Sequence, residues 1–234
     1  MYEDAFSPLE PLDELPPDPP AVDVEGMLAQ LEHPNPRLRM QAARIFCDQE
    51  EPRSIRRLVE LLRDPCTLVR VSAAYALGRN PAAEAVPELI QAMQRDWNGY
   101  VRKGVVWALG NTRDPQAIPV LREALQTDIT AVRLWAASAL GQLAQLATPS
   151  AQEQVIQVLV SALLADPVAA VRSNCAWALG KVAESLKPGI DQTPLWHSLE
   201  KSVQEDPDWG VRDDATFALH KRPAREEEDG GEDA

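Results

Sequence analysis

The chain has 234 residues, 45% of them hydrophobic, and its 36 acidic and 23 basic side chains give a formal net charge of −13. The excess acid lies at the ends, because residues 1–25 contain eight acids and no lysine or arginine and residues 226–233 contain six acids. The rest is close to neutral, which argues against nucleic acid as a target. Apolar runs are too short to span a membrane and no signal peptide is visible, so we expect a soluble, cytoplasmic protein.

The composition divides the chain into a folded body and two tails. Residues 1–23 are acidic and proline-rich, and residues 223–234 are acidic, so both segments are predicted to be disordered. Residues 24–222 carry the apolar periodicity and are predicted to fold. The tails could serve only as solubilising segments, or an acidic tail could fold over a groove of the body and compete with a partner.

An aliphatic residue followed by arginine recurs six times, each time after a short turn and before an alanine-rich stretch. The pairs are Leu38-Arg39, Val69-Arg70, Val101-Arg102, Val132-Arg133, Val171-Arg172 and Val211-Arg212. Successive arginines are 31, 32, 31, 39 and 40 residues apart. A period of this size is typical of a solenoid, in which each unit buries its apolar face only against its neighbours.

The second copy shows what one unit contains. Residues 54–62 have apolar side chains at helical spacing on one face, which predicts a first helix. Asp64 and Pro65 follow, a pair suited to the start of a new helix. Residues 69–78 are rich in small side chains and predict a second, closely packed helix. The chain is therefore predicted to be an all-α, right-handed solenoid of about six helical hairpins.

An acid stands five or six residues before the arginine of most units. These acids are Asp64, Asp96, Asp128, Asp166 and Asp206, and the arginines that follow them are Arg70, Arg102, Arg133, Arg172 and Arg212. We interpret them as structural residues: the acids cap helices and pair with arginines of the same or the next unit, forming a ladder. A row of functional acids is the alternative.

Glycines near the end of each second helix predict where that helix stops. They are Gly78, Gly110, Gly141 and Gly180. Cys47 and His220 replace the glycine in the first and last copies, as expected for terminal repeats that cap a solenoid. The two longer spacings place extra residues at 143–150 and 184–192, which predicts helix extensions or longer loops between units.

The second helices are expected to line the concave side of the solenoid. Five residues after each arginine stand Arg44, Tyr75, Trp107, Ser138, Trp177 and Phe217. Trp135 lies on the same face of the fourth unit, so five of six units place an aromatic in one stripe, flanked by Lys103 and Asn174. A row of outward aromatics predicts a binding surface, although ordinary packing between units is the alternative.

Gly104 interrupts the third of these second helices, where glycine costs about 1 kcal/mol relative to alanine. It stands three residues before Trp107. We therefore predict that Gly104 opens a notch between Trp107 and Trp135, and that the notch admits the edge of a ligand or a partner's side chain.

Residues suited to catalysis or metal binding are sparse. The three histidines lie in different units, and Cys47, Cys66 and Cys175 have neither the spacing of a zinc site nor the even number of a disulfide framework. Cys175 takes a position that alanine holds elsewhere, and Cys66, in a turn, is the one candidate for an exposed thiol. These patterns favour a protein without catalytic or metal-binding residues.

The phrase Asp-Pro-x3-Val-Arg-x2-Ala-x3-Leu-Gly at 64–78, with close variants at 96–110 and 166–180, resembles the HEAT-like repeats of the phycobilisome lyase family. The segments 63–66, 69–80, 96–111, 131–140 and 169–177 are similar to cyanobacterial HEAT-repeat proteins grouped with the E/F-type phycobilin lyases and described as partners of the iron–sulfur assembly factor IscA.

The resemblance implies two different functions. As a scaffold, the chain would hold a protein client in its groove, with an IscA-type factor or a phycobiliprotein as candidates, and would do no chemistry. As a lyase, it would bind a linear tetrapyrrole, a phycobilin, and help attach it to or detach it from a phycobiliprotein cysteine. An iron–sulfur cluster could only be shared with the partner. Because no general acid stands beside the notch, we favour the scaffold. A solenoid with capped ends can be monomeric, so we expect a monomer.

Overall fold

The structure is a computed structural model that describes residues 23–223, so the two predicted tails lie almost wholly outside it. The described residues form twelve α-helices. They are α1 (Val24–Gln30), α2 (Pro36–Ile45), α3 (Ile55–Leu61), α4 (Thr67–Arg79), α5 (Val86–Arg95), α6 (Gly99–Thr112), α7 (Ile118–Thr127), α8 (Thr130–Leu143), α9 (Pro149–Ala165), α10 (Ala169–Ala183), α11 (Thr193–Glu205) and α12 (Trp209–Leu219). None of them is long and apolar enough to cross a membrane.

The helices pair into six hairpins, and the hairpins stack into two layers. Each even-numbered helix packs against its own odd-numbered partner and, more extensively, against the even-numbered helices before and after it. The even-numbered helices therefore form a tight layer, and the apolar core runs without a break between the two layers. This arrangement confirms the predicted all-α solenoid of six hairpins.

The aspartates that recur before the repeated arginines lie in the turns before the second helices and are not the N-caps of those helices. Asp96 accepts a hydrogen bond from the backbone N–H of Asn98 at 2.9 Å, two residues later. Asn98 is the N-cap of α6, and its side chain accepts from the N–H groups of Tyr100 and Val101. The prediction that the acids cap the second helices is therefore wrong, because each acid lies one or more residues too early.

Each of the five inter-repeat steps has the same arginine–aspartate pair. The pairs are Arg39–Asp64, Arg70–Asp96, Arg102–Asp128, Arg133–Asp166 and Arg172–Asp206. The sequence left open whether each aspartate pairs with an arginine of its own unit or of a neighbouring unit, and in the structure the paired residues belong to neighbouring units. We call this set the ladder.

The Arg70 guanidinium shows how one step of the ladder works. It donates to both carboxylate oxygens of Asp96, at 2.6 and 3.2 Å, and to the backbone oxygen of Asp64 at 2.9 Å. It thus joins the turn of its own hairpin to the turn of the next. At the last step, the hydrogen bond from Arg172 holds the pKa of Asp206 below its ordinary value.

The four repeated glycines lie inside their helices, so the prediction that they end them is wrong. Each is buried against the next even-numbered helix. A Cβ at Gly141 would lie 2.9 Å from the Cα and Cβ of Ala178, and one at Gly180 would lie 3.2 Å from the Cα of Ala218. The glycines are therefore needed where successive helices approach most closely.

The first longer spacing is a helix extension, because α9 has 17 residues where α7 has 10. The second includes a longer connection between α10 and α11, residues 184–192. One buried amide joins the two regions. Gln152, in α9, donates to the backbone oxygens of Ala144 and Ser185, each at 3.0 Å. Its carbonyl oxygen accepts from the N–H of Lys187 at 2.9 Å. Gln152 therefore joins the connection that follows α8 to the connection that follows α10.

We predict that Asp96→Ala lowers the free energy of unfolding by about 3 kcal/mol, because it leaves the nearly buried Arg70 guanidinium without its charged partner. Side chains of Arg70 and Asp96 are only 10% and 6% exposed. Urea unfolding followed by circular dichroism measures the change. Glu60→Ala, which removes exposed pairs within one helix, is the control and should leave the urea midpoint unchanged. Equal midpoints for the two variants would show that the ladder does not stabilise the fold.

Candidate binding face

Two neighbouring clefts open on the layer of even-numbered helices. The first, the Tyr75 cleft, has a volume of about 550 Å³. Its lining includes Met40, Arg44, Leu68, Val71, Tyr75 and Trp107. These residues come from α2, α4 and α6, so the cleft spans the first three even-numbered helices.

The second cleft, the Trp177 cleft, has a volume of about 600 Å³ and extends over α4, α6, α8 and α10. Its polar and charged lining comprises Glu50, Arg79, Asn111, Arg113, Gln142, Gln145 and Lys181. Trp107 and Trp177 provide its aromatic surface. The cleft therefore combines two indole rings with three basic side chains and three amides.

Trp107 belongs to both clefts. Its ring lies on Gly78 of the preceding repeat, where a Cβ would fall 2.2 Å from the indole Cε3. The ring also lies 5.7 Å from that of Tyr75 in the same helix as Gly78, centroid to centroid, with 40° between the planes. Gly78 thus lets the indole lie flat on the helix, and Trp107 separates the two clefts while remaining partly exposed.

The basic side chains of the Trp177 cleft have few carboxylate partners. Arg79 lies 3.6 Å from Glu50, and no ion pair within residues 23–223 involves Arg113. The Lys181 ammonium is 3.1 Å from Glu184 and 5.9 Å from the centroid of the Trp177 ring. Hydrogen bonds from Lys221 and Lys181 keep the pKa of the Glu184 carboxyl below its usual value.

The structure brings some of the predicted partner-binding residues together and leaves others apart. Tyr75, Trp107 and Trp177 line the clefts. The remaining predicted side chains, Lys103, Trp135, Asn174 and Phe217, line neither cleft. Trp135 is 37% and Phe217 60% exposed, so they stay available as outlying contacts. The binding role of the stripe itself remains a prediction.

Asn174 has a structural bond that the sequence did not suggest. Its amide nitrogen donates to the backbone oxygen of Leu134 at 3.0 Å. Asn111, two even-numbered helices earlier, does the same and donates to the oxygen of Gly78 at 2.9 Å. Both amides thus tie their helix to the preceding even-numbered helix.

The predicted notch at Gly104 is wrong. Gly104 is buried, and a Cβ there would lie 3.0 Å from the Cβ of Ala74 and 3.3 Å from the Cε2 of Tyr75. The glycine therefore permits contact with the preceding helix, α4, and opens no space between Trp107 and Trp135. The periodicity placed Gly104 on the face of Trp107 but could not say which neighbouring helix that face meets.

Sequence reasoning missed two groups of exposed residues. Arg113, at the end of α6, has a left-handed backbone with φ 55°. The helical periodicity of the sequence therefore does not indicate that its side chain lines the Trp177 cleft. Trp97, Tyr100 and Trp209 are 77%, 72% and 73% exposed at the turns that begin α6 and α12. The signal for the second group was present, since large aromatics at turn positions are unusual, but they lay outside the helical stripe.

The three cysteines differ in their surroundings. Cys175 is fully buried, and burial raises its pKa. Burial also raises the pKa of Cys47 to about 11. Cys66 is partly exposed, and its N–H donates to Asp64 in a turn. Within residues 23–223, no three His, Cys, Asp or Glu side chains are grouped so that they could hold a metal ion.

Stacked hairpins, a continuous ladder and clefts on one helical layer define a helical-repeat solenoid. The family model for HEAT repeats matches residues 24–96 and 86–180. The chain therefore belongs to the HEAT-repeat family. No curated protein matches the sequence significantly.

Several solved structures share the fold at low sequence identity. A designed armadillo repeat protein in complex with peptide (KR)4 is 21% identical over 86% of this chain and 99% of its own, with a TM-score of 0.63. An engineered protein is 24% identical over 86% and 96%, with a TM-score of 0.61. The complex of CpcE and CpcF of phycocyanin lyase from Nostoc sp. PCC7120 gives 24% identity over 70% and 97%, with a TM-score of 0.59. At this identity the similarity concerns the fold alone.

We predict that Gly104→Leu destabilises the protein by about 1–3 kcal/mol, because the added side chain must displace Ala74 or Tyr75 in a packed interface. Gly104→Ala, with a single added carbon, should cost less than Gly104→Leu. Thermal unfolding of the two variants measures both. If the Gly104→Leu variant were as stable as the wild type, the result would support the prediction of an open notch at Gly104.

We predict that Cys66 reacts first with a thiol reagent at pH 8, Cys47 more slowly, and Cys175 only after unfolding, because the thiolate is the reactive form and both burial and a raised pKa suppress it. Mass spectrometry of peptides after timed alkylation gives the order. Modification of Cys175 at the rate of Cys66 in folded protein would contradict its burial.

Proposed function

We propose that the chain is a non-catalytic HEAT-repeat scaffold that binds a protein client along its even-numbered helices. The observation that carries the proposal is the pair of adjoining clefts that share Trp107. Together they extend along the layer from α2 to α10, with the Trp107 ring between them. Partly exposed tryptophan and tyrosine at the centre of such a surface are the residues that most often dominate binding energy.

The chemistry of the clefts suits recognition of an extended segment. The Trp107 and Trp177 rings offer flat apolar surfaces, while Gln142 and Gln145 can bond a peptide backbone. Arg113 and its basic neighbours would favour acidic side chains. The designed armadillo repeat protein that binds the basic peptide (KR)4 has a comparable fold, and the cleft charges here favour a client of the opposite sign.

The sequence resemblance suggests where such a scaffold would work. It points to assembly of iron–sulfur or photosynthetic complexes, with an IscA-type assembly factor or a phycobiliprotein as the client. We propose a cytoplasmic monomer that binds no nucleic acid, because the body is nearly neutral and a solenoid whose terminal repeats differ from the others needs no partner copy.

A phycobilin lyase or pigment chaperone is the second candidate. The fold similarity to the complex of CpcE and CpcF of phycocyanin lyase favours it, and so does the Trp177 cleft. A linear tetrapyrrole carries a conjugated ring system and acidic propionates. The rings of Trp107 and Trp177 suit the conjugated system, and the guanidiniums of Arg79 and Arg113 suit the propionates. In this role those side chains would bind and orient the pigment.

We predict that Trp107→Ala/Trp177→Ala reduces capture of the client at least tenfold, since truncating one tryptophan at the centre of an interface costs about 2 kcal/mol or more. The measurement is a pull-down from cyanobacterial lysate with the full chain, quantified by mass spectrometry and visible absorbance. A colourless protein lost in the variant supports the scaffold, and a co-eluting bilin lost in the variant supports the lyase.

The matched control is Trp97→Ala/Trp209→Ala, which removes two tryptophans that are more exposed but lie at turns outside both clefts. This variant should capture as much client as the wild type. Circular dichroism and thermal unfolding establish that each variant is folded, which matters for Trp107 because it packs on Gly78. Partners retained by the cleft variant would exclude the clefts as the binding surface.

A further inference from the structure

The Trp177 cleft carries more positive charge than its own carboxylates neutralise. Lys221, at the end of α12, lies 3.1 Å from the same Glu184 carboxylate that Lys181 contacts. Around the cleft four cations, Arg79, Arg113, Lys181 and Lys221, therefore face only two described carboxylates, Glu50 and Glu184. The remaining positive charge lies beside exposed indole surface, where an anionic peptide would be held by both.

The chain itself contains a matching anionic segment. Residues 226–233 read Glu-Glu-Glu-Asp-Gly-Gly-Glu-Asp, six carboxylates without a base. We propose that this segment docks in the Trp177 cleft of the same molecule and competes there with the client. The inference rests on the proposed function in one respect, namely that the same cleft receives the client.

The position of α12 puts the segment within reach. The described chain ends at Pro223, two residues after Lys221, and Lys221 and Lys181 meet on Glu184. Eleven residues, 224–234, span up to about 36–40 Å when extended. Neighbouring packed helices lie about 8–10 Å apart, so the three steps from α10 back to α4 cover at most about 30 Å. The first acids can therefore meet Lys181 and Arg113, and later ones can approach Arg79.

A ligand tethered to the same chain competes with a client because its local concentration at the cleft is high. A short flexible linker holds its ligand at an effective concentration of about 1 mM, so even a weak contact keeps the cleft occupied until a client of higher affinity displaces it. Because the contact is mainly between exposed charges, salt should weaken it. Only a client that binds more tightly than the tethered acidic segment would then occupy the cleft. When no client is bound, the segment would cover the indole surface.

The test uses the full chain and a fluorescein-labelled synthetic peptide with the sequence of residues 224–234. In one variant, the neutral-tail chain, the six acids of residues 226–233 are changed to glutamine or asparagine. We expect fluorescence anisotropy in 50 mM NaCl to show peptide binding by the neutral-tail chain. The wild type should bind the peptide at least tenfold more weakly, since its own segment occupies the cleft.

Charge reversal locates the site. Arg113→Glu/Lys181→Glu in the neutral-tail chain should weaken peptide binding at least tenfold. The matched control, Arg56→Glu/Arg95→Glu, reverses two exposed arginines of odd-numbered helices and should leave the affinity unchanged. Circular dichroism verifies that every variant is folded.

Three results would overturn the inference: equal peptide affinity of the wild-type and neutral-tail chains, no effect of the cleft reversal, or stronger displacement of the probe by an unlabelled peptide of residues 1–22 than by one of residues 224–234. The last would assign the cleft to the other acidic segment, which joins the fold at Asp23. If client capture still depends on Trp107 and Trp177 while the peptide fails, only this inference falls. If the peptide binds as expected while client capture ignores both tryptophans, only the proposed function falls.

Discussion

The fold depends on one interaction that joins every two neighbouring repeats. An arginine such as Arg70 bonds the backbone oxygen of its own turn and both carboxylate oxygens of the next repeat's aspartate. Because one planar guanidinium makes all of these bonds, the position of one turn determines the position of the next. The ladder thus keeps successive hairpins in the same relative orientation. That constancy places residues at equivalent helical positions, such as Tyr75 and Trp107, side by side.

Close packing of the even-numbered helices decides what is left for a partner. Glycine and alanine at their contacts, such as Gly141 against Ala178, bring the helices near each other, while larger side chains lie in the core or on the face with the clefts. Trp107 contributes both to packing and to the clefts, because its ring covers Gly78 and also lines both clefts. The binding face is therefore a consequence of the packing that makes the solenoid.

The candidate site was only partly predictable. The period placed Tyr75, Trp107 and Trp177 on one face, and the structure brings them to the clefts. It could not place Arg113, whose left-handed backbone at the helix end turns it toward the Trp177 cleft. It also misjudged Gly104, because a helix in a solenoid has neighbours on both sides and a one-dimensional pattern does not say which neighbour a given residue meets.

The sequence by itself determined the class of fold, the number of hairpins and the residues of the ladder, because a repeated pattern reports each of these several times. Only the tertiary structure decided that the arginines pair with the next repeat, that the glycines lie inside helices, and that Gln152 joins two loops. Apart from the bond between Gln152 and Ala144, these are contacts between residues about 25 to 40 positions apart, and their geometry depends on how the hairpins stack. Periodicity predicts which face a residue lies on, whereas stacking decides what that face contacts.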